Sequence, residues 1–261
     1  LIIVGEWMPI TILMNDKGVF HNQTKKFGMD NTSGLWNTIE LIDINQDGKM
    51  DFIAGNHGTN SFFENSMKMY INDFDDNGSY EQIICLEREG KYFPILDKDE
   101  LINQLPILKK KIVYYKDYAN KSLNQIIDKS KLLESKVLQI DLLETSLFLN
   151  KETKFKQYSL PDEIQYSPIY SVLNKNDTKT NKNSLYLGGN QYLVKPQFGS
   201  YDASKGWHIS LSQNENNFFK STPQSLGIKG QIRGIKVLKN NQKEYLIFGI
   251  NDEKIKFYEL H

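Results

Sequence analysis

One pattern returns three times along this chain and restricts what it can fold into: a short strand ending in Asn, an aromatic about five residues on, a second alternating strand, then an apolar run closing on Gly. The first copy runs through Thr11–Asn15, Phe20, Trp36–Ile39 and Phe52–Asn56. The second runs through Ser146–Asn150, Phe155, Ile169–Val172 and Leu185–Asn190. The third runs through Ile209–Asn214, Phe218, Ile232–Ile235 and Leu246–Asn251.

The period is roughly 40 residues and each copy holds three or four strand-sized runs, which is the signature of β-propeller blades. The expected fold class is therefore all-β, with about four blades. A four-stranded blade exposes two apolar faces and is stable only when stacked, so these blades are expected to belong to a larger ring. A β-sandwich with similar hairpins is the competing architecture. The opening residues Leu1–Trp7 read as a buried strand in progress with no leader ahead of them, which suggests a fragment whose signal peptide or lipid anchor would lie upstream.

A helical segment breaks the repeat. From about Asp97 to Lys136, Leu101, Leu105, Leu108, Ile112 and Tyr115 recur at steps of three and four, and a second helical stretch follows around Leu123 to Leu133. Pro106 argues against one straight helix, and Lys109, Lys110 and Lys111 read as a solvated face. The expected organisation is blades with two calcium loops over 1–96, a helical insertion over 97–136, and blades with degenerate loops over 137–261.

The sharpest local signal is the loop from Asp43 to Asp51. Asp43, Asn45 and Asp47 stand at positions 1, 3 and 5, Gly48 at position 6 and Asp51 at position 9. Oxygen ligands at this spacing wrap one hard cation, and calcium suits them because it accepts six to eight oxygens with loose geometry. The Lys49 carbonyl is the expected main-chain ligand, and Gly48 permits the sharp turn. The loop from Asp73 to Glu81 repeats the spacing with Asp73, Asp75, Asn77, Ser79 and Glu81, so two calcium ions are expected. An EF-hand would need Glu at position 12, where Ala54 and Ile84 stand. A metal-free Asp/Asn/Gly turn is the alternative. Around Asn174–Asp177 and Asn240–Lys243 the spacing is lost, and plain turns without metal are expected. Each ion is expected to clamp a turn to its following strand, a structural task and not a catalytic one.

Lys+Arg and Asp+Glu both total 32, so no global field draws the chain to nucleic acid or anionic lipid. The single Cys85 permits no intrachain disulfide and is expected to be buried and inert. His21, His57, His208 and His261 are scattered without metal-ligand spacing. No apolar run is long enough to span a bilayer, and no nucleophile elbow, Walker loop or Rossmann fingerprint occurs.

With these features in place the chain resembles the FG-GAP/VCBS repeat proteins, which are related to integrin α-subunit propellers and to the ASPIC/UnbV-containing group of bacterial surface proteins. The carriers are Val4–Ile10, the loop beginning at Asp43, Ala54–Asn60, Asp99–Pro106, Tyr114–Ala119 and Gly199–Ser204, and the likeness is to the C-terminal part of the large members. What the resemblance implies is a ring of about seven blades in the intact protein, calcium in the inter-strand loops, and export to the cell surface or beyond.

The function expected from all this is an extracellular binding or scaffold module, not an enzyme. Its partner would be a protein or glycan at the cell surface, in the setting of an outer-membrane uptake complex, with no nucleic acid and no membrane insertion by this segment. A polysaccharide-active enzyme and a calcium-stiffened spacer are the alternatives. Trp36, Trp207, Tyr201 and Asn190 are candidates for a binding face, with the buried core as their other destination.

Overall fold

The computed structural model describes residues 1–177, 182–211, 222–240 and 243–260. Ser212–Asn214 and Phe218 of the third repeat, Asn241 and Gln242 of the last turn, and His261 lie outside the described residues. The described chain is mostly β, in antiparallel sheets, and divides into one unit of residues 1–63 with 142–261 and a second of residues 64–141. The second unit encloses the 97–136 helical stretch together with four strands.

The first unit begins with β1 (Ile2–Ile3), β2 (Glu6–Met8), β3 (Thr11–Asp16), β4 (Val19–Asn22), β5 (Gly34–Leu35), β6 (Thr38–Ile42) and β7 (Asp51–Gly55). β1, β3 and β4 form one small sheet and β2 pairs with β5. Leu1 and Ile3 are exposed, so the opening residues alternate at a sheet edge and do not form the buried strand their composition suggests.

The second unit carries β8 (Lys68–Asn72), β9 (Glu81–Arg88), β10 (Lys91–Pro94), α1 (Lys98–Gln104), α2 (Tyr115–Tyr118), α3 (Leu123–Ile126), α4 (Lys129–Glu134) and β11 (Lys136–Gln139). Its strands make a four-stranded sheet in the order β10-β9-β8-β11. Leu101, Leu105, Leu108 and Ile112 are buried against Phe74, Ile83 and Cys85, as the three-and-four spacing requires. Tyr115 departs from that stripe and is exposed, because the helix has ended and restarted before it is reached. Pro106 opens a short 3-10 turn over Pro106–Lys110, where its missing N–H removes no helical bond. Lys109, Lys110 and Lys111 are exposed.

Asp97 caps α1, its Oδ1 accepting from Glu100 N at 2.8 Å. Asp97→Ala is expected to lower the stability of the second unit by about 1 kcal/mol. A urea denaturation followed by helical circular dichroism checks this, and an unchanged midpoint would contradict the cap.

The first unit resumes with β12 (Ser146–Asn150), β13 (Phe155–Ser159), β14 (Ile169–Asp177), β15 (Lys182–Gly189), β16 (Trp207–Leu211), β17 (Gln224–Ser225), β18 (Gln231–Asn240), β19 (Lys243–Asn251) and β20 (Lys256–Leu260). Three meanders follow, ordered β13-β12-β7-β6, β14-β15-β16-β17 and β18-β19-β20. Asn174–Asp177, read from sequence as a turn, are strand: β14 pairs through Asp177 with Lys182.

Two central strands, β7 and β15, divide their side chains between two cores, since alternate residues face opposite ways. From β7, Phe52 and Ala54 enter one core with Trp36 and Phe148, while Ile53 enters another with Leu147, Leu149, Leu185 and Leu187. From β15, Tyr186 enters a third core with Ile232, Leu246 and Phe248. This two-sided demand explains the short, fully apolar runs that close the first two repeats.

The repeat is offset from the sheets. Its second copy supplies β12 and β13 to one meander and β14 and β15 to the next. At the joint, fully buried asparagines hold the chain: Asn56 Oδ1 accepts from Leu35 N and its Nδ2 donates to Leu142 O, while Asn190 Nδ2 donates to Ser204 O and Gly230 O.

Candidate metal-binding loops

The loop 43–51 joins β6 to β7 and the loop 73–81 joins β8 to β9, so each connects neighbouring antiparallel strands in a different unit. They adopt the same conformation. Position 4 is left-handed in both, Gln46 at φ 58° and Asp76 at φ 59°, and so is the position 6 glycine, Gly48 at 79° and Gly78 at 86°. Glycine enters this region without the Cβ penalty other residues carry.

The same hydrogen bonds recur. The position 1 carboxylate accepts from the N–H groups at positions 5 and 6: Asp43 from Asp47 N at 3.1 Å and Gly48 N at 2.9 Å, Asp73 from Asn77 N at 3.0 Å and Gly78 N at 2.8 Å. The position 5 side chain accepts from position 7, Asp47 from Lys49 N at 2.9 Å and Asn77 from Ser79 N at 2.7 Å. The position 9 carboxylate reaches back to position 2, Asp51 to Ile44 N and Glu81 to Phe74 N, both at 3.1 Å. Position 2 is a buried apolar residue in each loop, which anchors the turn to its core.

The loops differ in how their oxygens converge. In the second, one carboxylate oxygen from each of Asp73, Asp75 and Glu81 lies within 4.8 Å of the others. Asp75 Oδ1 is buried and has no hydrogen-bond partner, a costly arrangement for a carboxylate unless a cation meets it. In the first, Asp47 Oδ2 accepts from Asn45 Nδ2 at 2.9 Å, and Asp51 is also held by Asn150 N at 2.7 Å. This loop shares the backbone of the second, but its carboxylates are bonded within the protein and, among the described residues, are not brought together as those of the second loop are.

The electrostatics follow the bonding. The Lys49 N–H and then the Asn45 amide hold Asp47 below the usual carboxylate range. Burial raises Asp51, and the neighbouring Asp47 and Asp43 add to the rise. For Asp73 burial opposes ionisation, but the Gly78 and Asn77 N–H groups and the Lys131 ammonium outweigh it and the carboxyl is lowered. A divalent ion would favour the charged form at every one of these positions.

Sequence reasoning did not find Lys131. From α4 its Nζ donates to Asp73 O at 2.9 Å and to the Asp76 carboxylate, fastening the second loop to a helix. A lysine so far along the chain carries no local signal of this contact. Nor did the spacing rule find Asn150, which supplies the Asp51 contact from β12.

The remaining sequence candidates divide. Trp36 is buried edge-on to Phe148, Trp207 packs on the core and Asn190 is a buried bracing residue. Tyr201 lines a cavity with His57, Phe63 and Phe198. His21 is exposed, and His208 stacks on Tyr186 with ring centroids 4.8 Å apart. Cys85 is fully buried, and burial pushes its thiol up to about 12. Among the described residues no helix is long and apolar enough to cross a membrane.

Compared with known proteins, the chain matches no protein-family model and no curated protein.

Proposed function

We propose that this chain is a calcium-stabilised stretch of β-propeller, its meanders being successive blades, that acts as a binding or scaffold module for a protein or glycan outside the cell. The observation that carries the calcium reading is the convergence of carboxylate oxygens from Asp73, Asp75 and Glu81, with Asp75 also holding a buried oxygen that has no partner. The same backbone and hydrogen-bond pattern in the loop built on Asp43 and Asp51, without that convergence, supports the same chemistry there. Asn45 or Asn77, together with the Lys49 or Ser79 carbonyl, would complete an all-oxygen set, which suits a hard cation of flexible coordination. Bound to the folded state alone, such an ion stabilises by mass action, about 2.7 kcal/mol at a hundredfold excess over its dissociation constant.

The blade reading is supported by cores on both faces of β7 and β15 and by antiparallel meanders that succeed one another along the chain. The FG-GAP/VCBS likeness, export and a cell-surface partner are parts of the same proposal. The cavity beside Tyr201 favours a binding module over a bare spacer.

Thermal melting of chelator-stripped protein, with and without added calcium, tests the ion. Calcium is expected to raise the melting temperature by several degrees, and magnesium by less. Asp75→Asn is expected to remove the gain in the second unit, and Asp47→Ala part of the gain in the first. Identical melts with and without calcium in the unaltered protein would defeat the proposal.

A further inference from the structure

A cavity of about 260 Å³ opens in the unit formed by residues 1–63 and 142–261, and its walls combine two kinds of chemistry. One is aromatic. Trp7, Phe63 and Phe198 line it, with Phe198 braced from behind by Phe62, stacked at 4.4 Å between ring centroids. The other is polar: Glu6, His57 and Lys195 share the lining.

Trp7 is held there by an unusual backbone. It sits at a register irregularity between Glu6 and Met8, where β2 pairs with β5, and its φ is 57°. A left-handed bulky residue is a costly exception, and bulges of this kind re-aim a side chain. Such strain persists where the surrounding fold fixes it, often at ligand-binding positions. Trp7 is only half-buried, so core packing does not account for it.

His57 adds a second observation. It is 6% exposed, wedged edge-on between Phe63 at 5.2 Å and Tyr201 at 4.6 Å, and its Nε2 has no hydrogen-bond partner. A buried polar atom left unpaired is rare enough to call for an explanation, and an incoming hydroxyl group would supply one.

The charges narrow the ligand. Glu6 and Lys195 are both exposed and opposite in sign, so a cation meets the lysine and an anion meets the carboxylate. A wholly apolar ligand would leave the buried His57 Nε2 without a partner. The volume lies below the ~300–1,000 Å³ of sites for drug-sized ligands, which limits the occupant to about one ring.

We propose that this cavity is a subsite for one neutral pyranose ring, its apolar face laid on Trp7, Phe63 and Phe198 and its hydroxyls bonded to Glu6, His57 and Lys195. The subsite rests on reading the chain as a binding module, and names the class of ligand for that module. It requires no calcium.

Saturation-transfer NMR on the full chain tests it, with the methyl glycosides of glucose, galactose, mannose, N-acetylglucosamine and N-acetylgalactosamine as separate probes. At least one is expected to receive saturation on its ring protons, with a dissociation constant near ~1 mM. Trp7→Ala is expected to weaken that binding about tenfold or more, because a single aromatic anchor carries a large share of the energy in a small site. Should Trp7→Ala fail to fold, Phe198→Leu carries the same expectation. The proposal is overturned if no glycoside is saturated, if folded variants bind as the unaltered protein does, or if choline or benzoate is taken up in preference. Absent sugar binding with the calcium-dependent melt intact removes this subsite alone. Sugar binding without any effect of calcium removes the ion and keeps the subsite.

Discussion

Gly189→Ala is expected to prevent the unit of residues 1–63 and 142–261 from reaching its folded state, whereas Gly249→Ala, at the glycine closing the third repeat, leaves it intact. A Cβ on Gly189 would stand 1.6 Å from the Pro168 carbonyl oxygen and 2.7 Å from its carbon. Both are backbone atoms, and that oxygen accepts from Asn190 N at 3.1 Å, so neither strand can yield without breaking the joint. Close-packed interiors transmit such a clash and do not absorb it, and the loss is expected to exceed about 4 kcal/mol. At Gly249 the nearest atom to an added Cβ is Gly234 O at 3.8 Å, ordinary contact. There alanine is expected to be neutral or to stabilise by a few tenths of a kcal/mol, by reducing the freedom of the unfolded chain. Near-ultraviolet circular dichroism and thermal melting of the two variants decide the matter. A cooperative melt of Gly189→Ala within a few degrees of the unaltered protein would contradict the packing described.

The contrast between these glycines shows what the sequence could and could not disclose. That an apolar run closes on Gly three times was legible, because composition records it. That the Gly189 backbone lies against Pro168 was not, because the neighbour arrives from another strand. The strands themselves were legible for the same local reason, but their grouping was not. β12 lies beside β7, with Phe148 opposite Phe52, although a whole folded unit separates them in sequence. Repeats are counted along the chain and sheets across it, so a copy that feeds two meanders looks like one block.

The loops were legible to a greater depth. Their shape is written within nine residues, in oxygens at fixed positions and one glycine, and both adopt it. What the spacing could not disclose is the difference between them. Asp47 bonds to the Asn45 amide while Asp75 keeps an unpaired oxygen, and Lys131 steadies one loop from α4. Each distinction depends on a side-chain orientation or a distant partner. Trp7 is a similar case, since nothing in Val4–Ile10 announces a left-handed aromatic.

His57 gives the second large effect, and it appears as acid sensitivity. Burial lowers its pKa from the ordinary 6.5 to about 4, with no charged neighbour contributing to the change. The folded state therefore keeps the ring neutral over a range in which the unfolded chain takes up a proton. Because the unfolded state binds more protons between these two values, stability falls as the pH drops through 6.5 and continues to fall until about 4. A tenfold difference in proton affinity between the two states corresponds to about 1.4 kcal/mol, so the full loss approaches about 3 kcal/mol. Above pH 7 the group is neutral in both states and contributes no slope. His57→Phe keeps an aromatic ring between Phe63 and Tyr201 and removes both the titration and the unpaired Nε2. Urea denaturation of the two proteins at pH 7.5, 5.5 and 4.5, followed by tryptophan fluorescence, is expected to show stabilities that diverge steadily as the pH falls. The variant should be the more stable by about 2–3 kcal/mol at the lowest pH. Parallel pH profiles for the two proteins would mean that the imidazole finds a proton acceptor or solvent in the folded state, against the burial that keeps it neutral.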